Sequence, residues 1–106
     1  ACGMEIRMEK LMYVMLIEKS KTYNKLTKKT VTEHVEDRRK LDDEGKREIG
    51  GVFKGYPGMA GIYIQKTDSR EEAEELCKME PLVIGGYATY KLVTLQVANR
   101  ENNYLL

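Results

Sequence analysis

One histidine and two cysteines are all the imidazole and thiolate metal ligands this chain offers, and their scarcity closes several routes at once. Zinc centres need Cys and His clustered at characteristic spacings. Cys2 lies in the leading segment and Cys77 in the second half, with no Cys-x-x-Cys pattern, so neither a tight metal site nor a dithiol redox motif is expected and both read as reduced thiols of a cytoplasmic protein. Long apolar runs are missing too. Nothing approaches the ~20 residues of a membrane span, and Glu5, Arg7, Glu9 and Lys10 interrupt any signal-like start. Charge of one sign is also absent: eighteen basic and seventeen acidic residues leave a formal +1, which gives no global field for nucleic acid or an anionic membrane. The glycine-rich segments lack the Lys-Ser/Thr or strand-to-helix context of phosphate loops. We therefore expect no cofactor, no nucleic acid and no membrane among the partners.

What is present reads as a single domain, since 106 residues can bury a core without disulfides or metal. The most legible stretch is 58–86. Ala60, Ile62 and Ile64 alternate with Gly61, Tyr63 and Gln65 at the period of a strand. Thr67-Asp68-Ser69 then changes the rule to a helical one. Ser69 with Glu72 forms a capping box, the hydroxyl taking a free backbone N–H while the carboxylate reaches back. Ala73, Leu76 and Cys77 supply the core stripe of that helix. Pro81 ends it, because proline disfavours helical geometry at Glu80, and Leu82-Val83-Ile84-Gly85-Gly86 leads the chain back toward the sheet.

Upstream, residues 1–10 read as an N-terminal extension. Residues 11–17 are apolar at both parities, as in a central strand buried on both faces. Residues 19–27 form a polar connection long enough to cross the sheet, with Tyr23 and Leu26 to pin it and the reach to act as a lid. Thr30 and Glu33 make a second capping box, opening a helix to about Glu44 before Gly45 supplies a left-handed terminus. Its inward arc contains Val31, His34, Val35, Arg38 and Leu41. Residues 47–54 form a strand around Gly50-Gly51, a pair that marks a bulge or a close approach to the backbone. The last strand covers 87–98, Tyr90 and Leu92 pointing one way and Val93, Leu95 and Val97 the other. Residues 99–106 are a tail whose Tyr104-Leu105-Leu106 is apolar enough to dock on something.

The order strand, helix, strand, strand, helix, strand is the ferredoxin-like β-α-β-β-α-β plan of an α+β domain, with a four-stranded antiparallel sheet over residues 11–98. Two helices cover one face of such a sheet, and the other needs a second layer. A twin subunit is the simplest supply, so we expect a homodimer through the face opposite the helices, where we place Tyr90 and Leu92.

Between Met12 and Val97 the chain resembles the YciI-like proteins of the dimeric α+β barrel superfamily. The features that carry this are the aromatic-bearing first strand, His34 early in the first helix, Leu41 to Gly45, Gly50-Gly51, Asp68-Ser69-Arg70-Glu71-Glu72-Ala73, and Glu80-Pro81 followed by Gly85-Gly86. Glu80-Pro81-Leu82 and the element order are similar, more faintly, to muconolactone isomerase. The resemblance implies a homodimer of ferredoxin-like subunits with a histidine in a cleft beside the sheet, working with an aspartate; some relatives act on small chlorinated or hydroxylated ring compounds. Two departures stand out. Val31-Thr32-Glu33-His34 replaces Arg-Pro-x-His, and Val52-Phe53-Lys54 follows the glycine pair where an aspartate is common. Only His34 of that dyad carries over.

The chemistry thus centres on His34, the sole histidine, as a general base or as a packed, hydrogen-bonded imidazole. Arg38, one turn on, either holds an anionic group beside it or lays its stem over the core and reaches solvent, the second being favoured. Glu80 either supplies the missing carboxylate or caps the turn, and we favour the cap. Tyr13, Tyr63 and Tyr90 can line a pocket, although strand aromatics more often belong to core or interface. Lys54-Gly55-Tyr56 echoes the start of an RNA-recognition motif but stops there. The expectation is a small-molecule enzyme with His34 as acid/base and Arg38, Tyr13, Tyr63 and Glu80 as substrate contacts. Its alternative is a non-catalytic homodimer that binds a small ligand or a partner.

Overall fold

The computed structural model describes residues 10–106; residues 1–9 of the expected N-terminal extension, Cys2 among them, lie outside the described residues. Four strands, β1 (Leu11–Lys19), β2 (Arg47–Val52), β3 (Met59–Gln65) and β4 (Ala88–Gln96), form one antiparallel sheet in the order β2-β3-β1-β4. The helices are α1 (Lys28–Asp43), α2 (Arg70–Lys78) and the one-turn α3 (Pro81–Ile84). This is the ferredoxin-like α+β fold with one additional turn of helix.

Several local signals act as their residue types require. Ser69 caps α2, its Oγ accepting from Glu72 N–H at 3.1 Å. The return half of the expected box is replaced by an ion pair, Glu72 lying 3.4 Å from Lys46 Nζ. Gly45 adopts φ +69° after the last turn of α1, and Lys46 N–H closes that turn on Leu41 O at 2.9 Å. The start of α1 differs from expectation. Thr27, not Thr30, is the cap, and it accepts from Thr30 N–H at 3.1 Å. Lys28 and Lys29 are good helix formers, so the helix begins as soon as an upstream hydroxyl can cap it. α3 is also a correction: Pro81, which stops α2, occupies the first position of this new turn, where its missing N–H and fixed φ suit a helix start.

The pleat sorts the sheet into two faces. Register places Tyr13, Met15 and Ile17 of β1, Tyr63 and Gln65 of β3 and Tyr90 and Leu92 of β4 under the helices. There Met15, Ile17, Ala60, Tyr63, Cys77, Leu82 and Ala88 form the core, with Tyr23, Leu26, Val83, Tyr90 and Leu92 packed against it. Cys77 is a free thiol, pushed above its ordinary value chiefly by burial. Opposite, Met12, Val14, Leu16, Ile49, Ile62, Ile64, Val93 and Leu95 share the other face, where Ile49, Val93 and Leu95 are exposed. The assignment of Tyr90 and Leu92 to the open face is therefore overturned. Tyr90 donates its hydroxyl to Glu74 of α2 at 2.9 Å, and the apolar residues of β4 on the open side are Val93 and Leu95. β1 is correspondingly buried on its helix side, while on the other Met12 is buried and Val14 and Leu16 are only half covered.

The connection after β1 forms a 3-10 turn at Tyr23–Lys25, its two apolar residues packed on the core as expected. Ser20 ties it to the loop after α3 by donating to Gly86 O at 2.7 Å. Past β4 the chain turns at Arg100–Leu105 under an Asn99/Asn102 capping box, and Tyr104, Leu105 and Leu106 remain exposed.

Candidate functional site

α1 crosses the β2 and β3 side of the sheet and lays His34 and Arg38, one turn apart, above Tyr63. α3 approaches from the other end. Its short turn needs a cap, and Glu80 provides one: Oε2 accepts from Leu82 N–H at 2.6 Å. The second oxygen, Oε1, meets Nδ1 of His34. The carboxylate is fully buried and the imidazole retains 18% exposure. Capping and supplying a carboxylate were alternatives in the sequence; a single glutamate does both because the cap uses one oxygen and frees the other.

On the far side of the ring, Tyr63 Oη lies 3.1 Å from His34 Nε2. Burial pushes the Tyr63 phenol above its ordinary value, with Arg38 pulling the other way and Glu80 adding to the rise. The phenol stays protonated at neutral pH. In the tautomer with the ring hydrogen on Nδ1, that hydrogen is donated to Glu80 and Nε2 accepts from the phenol, which makes a directed chain, Tyr63 O–H to His34 to Glu80, running from a cavity into the core.

Two cavities meet at His34. The outer one, about 330 Å³, is lined by α1 and β2 residues including Val35, Arg38, Asp42, Arg47 and Gly50, with Tyr63 below. The inner one, about 180 Å³, is bounded by Ile17, Tyr23, Leu26, Val31, Tyr63 and Leu82. Tyr23 and Leu26, from the polar connection, thus wall the inner space. Of the residues singled out in the sequence, His34, Arg38, Tyr63 and Glu80 are brought together. Tyr13 is not: it is buried in β1 and lines neither cavity. Arg38 also departs from expectation. It does not reach solvent; it is 6% exposed, with its guanidinium 4.6 Å from the Tyr63 ring centre.

Arg47 was missed. It sits beside a bulge in β2, holds Asp42 through Nε at 2.7 Å and Nη2 at 3.2 Å, and reaches over the same ring at 5.9 Å. Gly50 makes this possible, since a Cβ there would strike both the Tyr63 ring and the Arg47 guanidinium. The signal available was the glycine pair with an arginine three residues before it. Among the described residues, no group of three or more His, Cys, Asp and Glu side chains could hold a metal ion, and no helix is long and apolar enough to cross a membrane.

No protein-family model matches the chain, and no curated protein matches it in sequence. Among solved structures it is similar to 5-chloro-2-hydroxyhydroquinone dehydrochlorinase from Burkholderia phenoliruptrix AC1100, in complex with 2,5-dihydroxybenzoquinone. The likeness has a TM-score of 0.66 at 12% identity and covers 87% of this chain and 98% of that one. At that identity, what the two share is the fold.

Proposed function

We propose that the cleft is the active site of a YciI-like, homodimeric small-molecule enzyme that works by acid–base chemistry at His34. The observation that carries this is the chain Tyr63–His34–Glu80, in which a part-exposed imidazole lies between a phenol at the cavity wall and a buried carboxylate. Glu80 takes the place of the aspartate that the family pattern puts after the glycine pair. A carboxylate on Nδ1 fixes the ring's orientation and offsets the charge the ring gains on taking a proton. Tyr63 relays: as a substrate proton passes to its oxygen, its own passes to Nε2, and the reverse transfer reprotonates the product. The structurally similar dehydrochlorinase is named for a hydroxylated, chlorinated ring, and a ring of that kind presents phenolic protons of the sort this relay can move.

The second reading, a non-catalytic binding module, is favoured by one fact: both imidazole nitrogens already have side-chain partners. A panel of hydroxylated and halogenated single-ring phenols, followed by ultraviolet absorbance, separates the two. The acid–base reading expects turnover that falls by about 10²–10⁴-fold in His34→Gln and markedly in Tyr63→Phe, with both variants folded. Turnover unchanged by His34→Gln overturns it, and saturable binding without turnover across the panel establishes the binding module.

A further inference from the structure

We infer that the outer cavity binds the carboxylate of a single-ring organic acid, with Arg38 as its anchor. Arg38 is nine-tenths buried, and its Nη2 donates to Asp37 at 2.7 Å, yet Nε and Nη1 are buried with no hydrogen-bond acceptor. Buried donors of a charged group left unpaired cost the fold free energy and are rare. Arg38 lines the 330 Å³ cavity, whose other charged wall residues are Arg39, Arg47 and Asp42. Asp42 is engaged with Arg47 and Asp37 with Arg38, and Arg39 leaves the cavity one positive charge in excess. Gly50 keeps the floor low enough for Arg47 to lie against Tyr63. Both guanidiniums thus lie over the ring whose hydroxyl touches His34. A carboxylate accepting from Arg38 would sit at one end of that ring and place the body of the acid toward the His34 end. Guanidinium and carboxylate are a matched pair, and a cavity of this size is at the small end of ligand pockets, suited to one ring.

The inference deepens the proposed function by naming a substrate class, but its test is read without turnover. The protein in chloride buffer is titrated with benzoate and, separately, with the neutral isostere benzamide. The Arg38 Nε–H resonance, assigned by its loss in Arg38→Lys, and the melting temperature are both followed. Benzoate is expected to shift the resonance saturably at millimolar concentration and to raise the melting temperature, as any ligand of the native state does; benzamide is expected to do neither. Arg38→Met should weaken benzoate at least tenfold, while Lys78→Gln, an exposed residue of α2 that lines neither cavity, leaves it within twofold. Equal binding of benzamide, unchanged binding to Arg38→Met, or no saturable response to benzoate overturns the inference. If Arg38→Met fails to fold, Arg38→Lys and the benzoate–benzamide contrast decide it. Turnover of neutral phenols without benzoate binding would sink the anion site and leave the acid–base reading standing. Benzoate binding without turnover would do the opposite.

Discussion

The two faces of the sheet are made from the same four strands, yet they are built by different rules. Under the helices, polar groups are placed singly and partnered across elements: Glu80 with His34 and Leu82 N–H, Tyr63 with His34, Tyr90 with Glu74, Gln65 with Cys77. On the other face the residues in register are mainly aliphatic, with Thr89 and the Lys91–Glu18 ion pair toward one end, and Ile49, Val93 and Leu95 are exposed. A face of the first kind is expensive to alter, because each partner removed leaves another buried polar group unsatisfied. A face of the second kind tolerates aliphatic exchange but not charge, because its value lies in what it can bury against. Under the proposed function, the contrast separates chemistry from assembly.

Glu80→Ala strikes the first face hardest. It removes the cap of α3, worth about 0.5–2 kcal/mol, and leaves the ring N–H of His34 without its buried acceptor, which costs about 1–3 kcal/mol. Because the two effects share one side chain they will not simply add, and we expect a loss of about 2–4 kcal/mol in urea unfolding. A loss below about 1 kcal/mol would show that Glu80 is not what joins α3 to α1, and the comparison would then have to be drawn without it.

How much of this was legible follows the same division. Period and caps are local, so the strands, the Ser69 cap and Gly45 could be placed, and with them the fold. His34 and Arg38 could be put on one arc because one helix turn relates them. Glu80 could be named but not paired, since its meeting with His34 is a tertiary event between α3 and α1, and α3 itself was hidden behind a proline that reads as a stop. Arg47 gave no sign because its role depends on a bulge and on a glycine neighbour. Tyr90 and Leu92 were assigned to the wrong face for a simpler reason: alternation defines two sets along β4 but does not say which one the helices cover. The hydroxyl of Tyr90, reaching Glu74, is what marks the covered side.

Charge on the aliphatic face tests assembly. We propose that this face is the homodimer interface, formed around Val93, Ile64, Val14 and Ile49, which lie across the four strands in one row. A two-fold contact there would set each introduced charge near its copy. Val93→Lys should weaken association by about 100-fold, or ~2.7 kcal/mol, while leaving the far-ultraviolet circular dichroism unchanged; Val93→Ile should have no such effect. Sedimentation equilibrium distinguishes the outcomes. A wild-type monomer at micromolar concentration, or a dimer indifferent to Val93→Lys but broken by charges on α2, would place assembly elsewhere and dissolve the division of labour between the faces.

The smallest effect is expected at high pH, and it examines one polar contact of the covered face in isolation. Burial and the hydrogen bond to Glu74 push the Tyr90 phenol from 10.0 up to about 12. The folded protein therefore keeps this proton where the unfolded chain has begun to lose it. The stabilisation is complete below about pH 10 and is lost as pH rises toward 12, because over that window the unfolded state alone gains from ionising. Tyr90 is only partly buried and solvent screens the effect, so the slope it adds to alkaline unfolding should be modest. Tyr90→Phe should flatten the decline between pH 10 and 12 while costing about 1 kcal/mol or less at pH 7, the net worth of one side-chain hydrogen bond. Tyr63 is pushed upward as well, so some slope must survive in Tyr90→Phe. A curve that becomes wholly flat would assign the whole alkaline response to Tyr90 and show that burial does not raise the Tyr63 phenol.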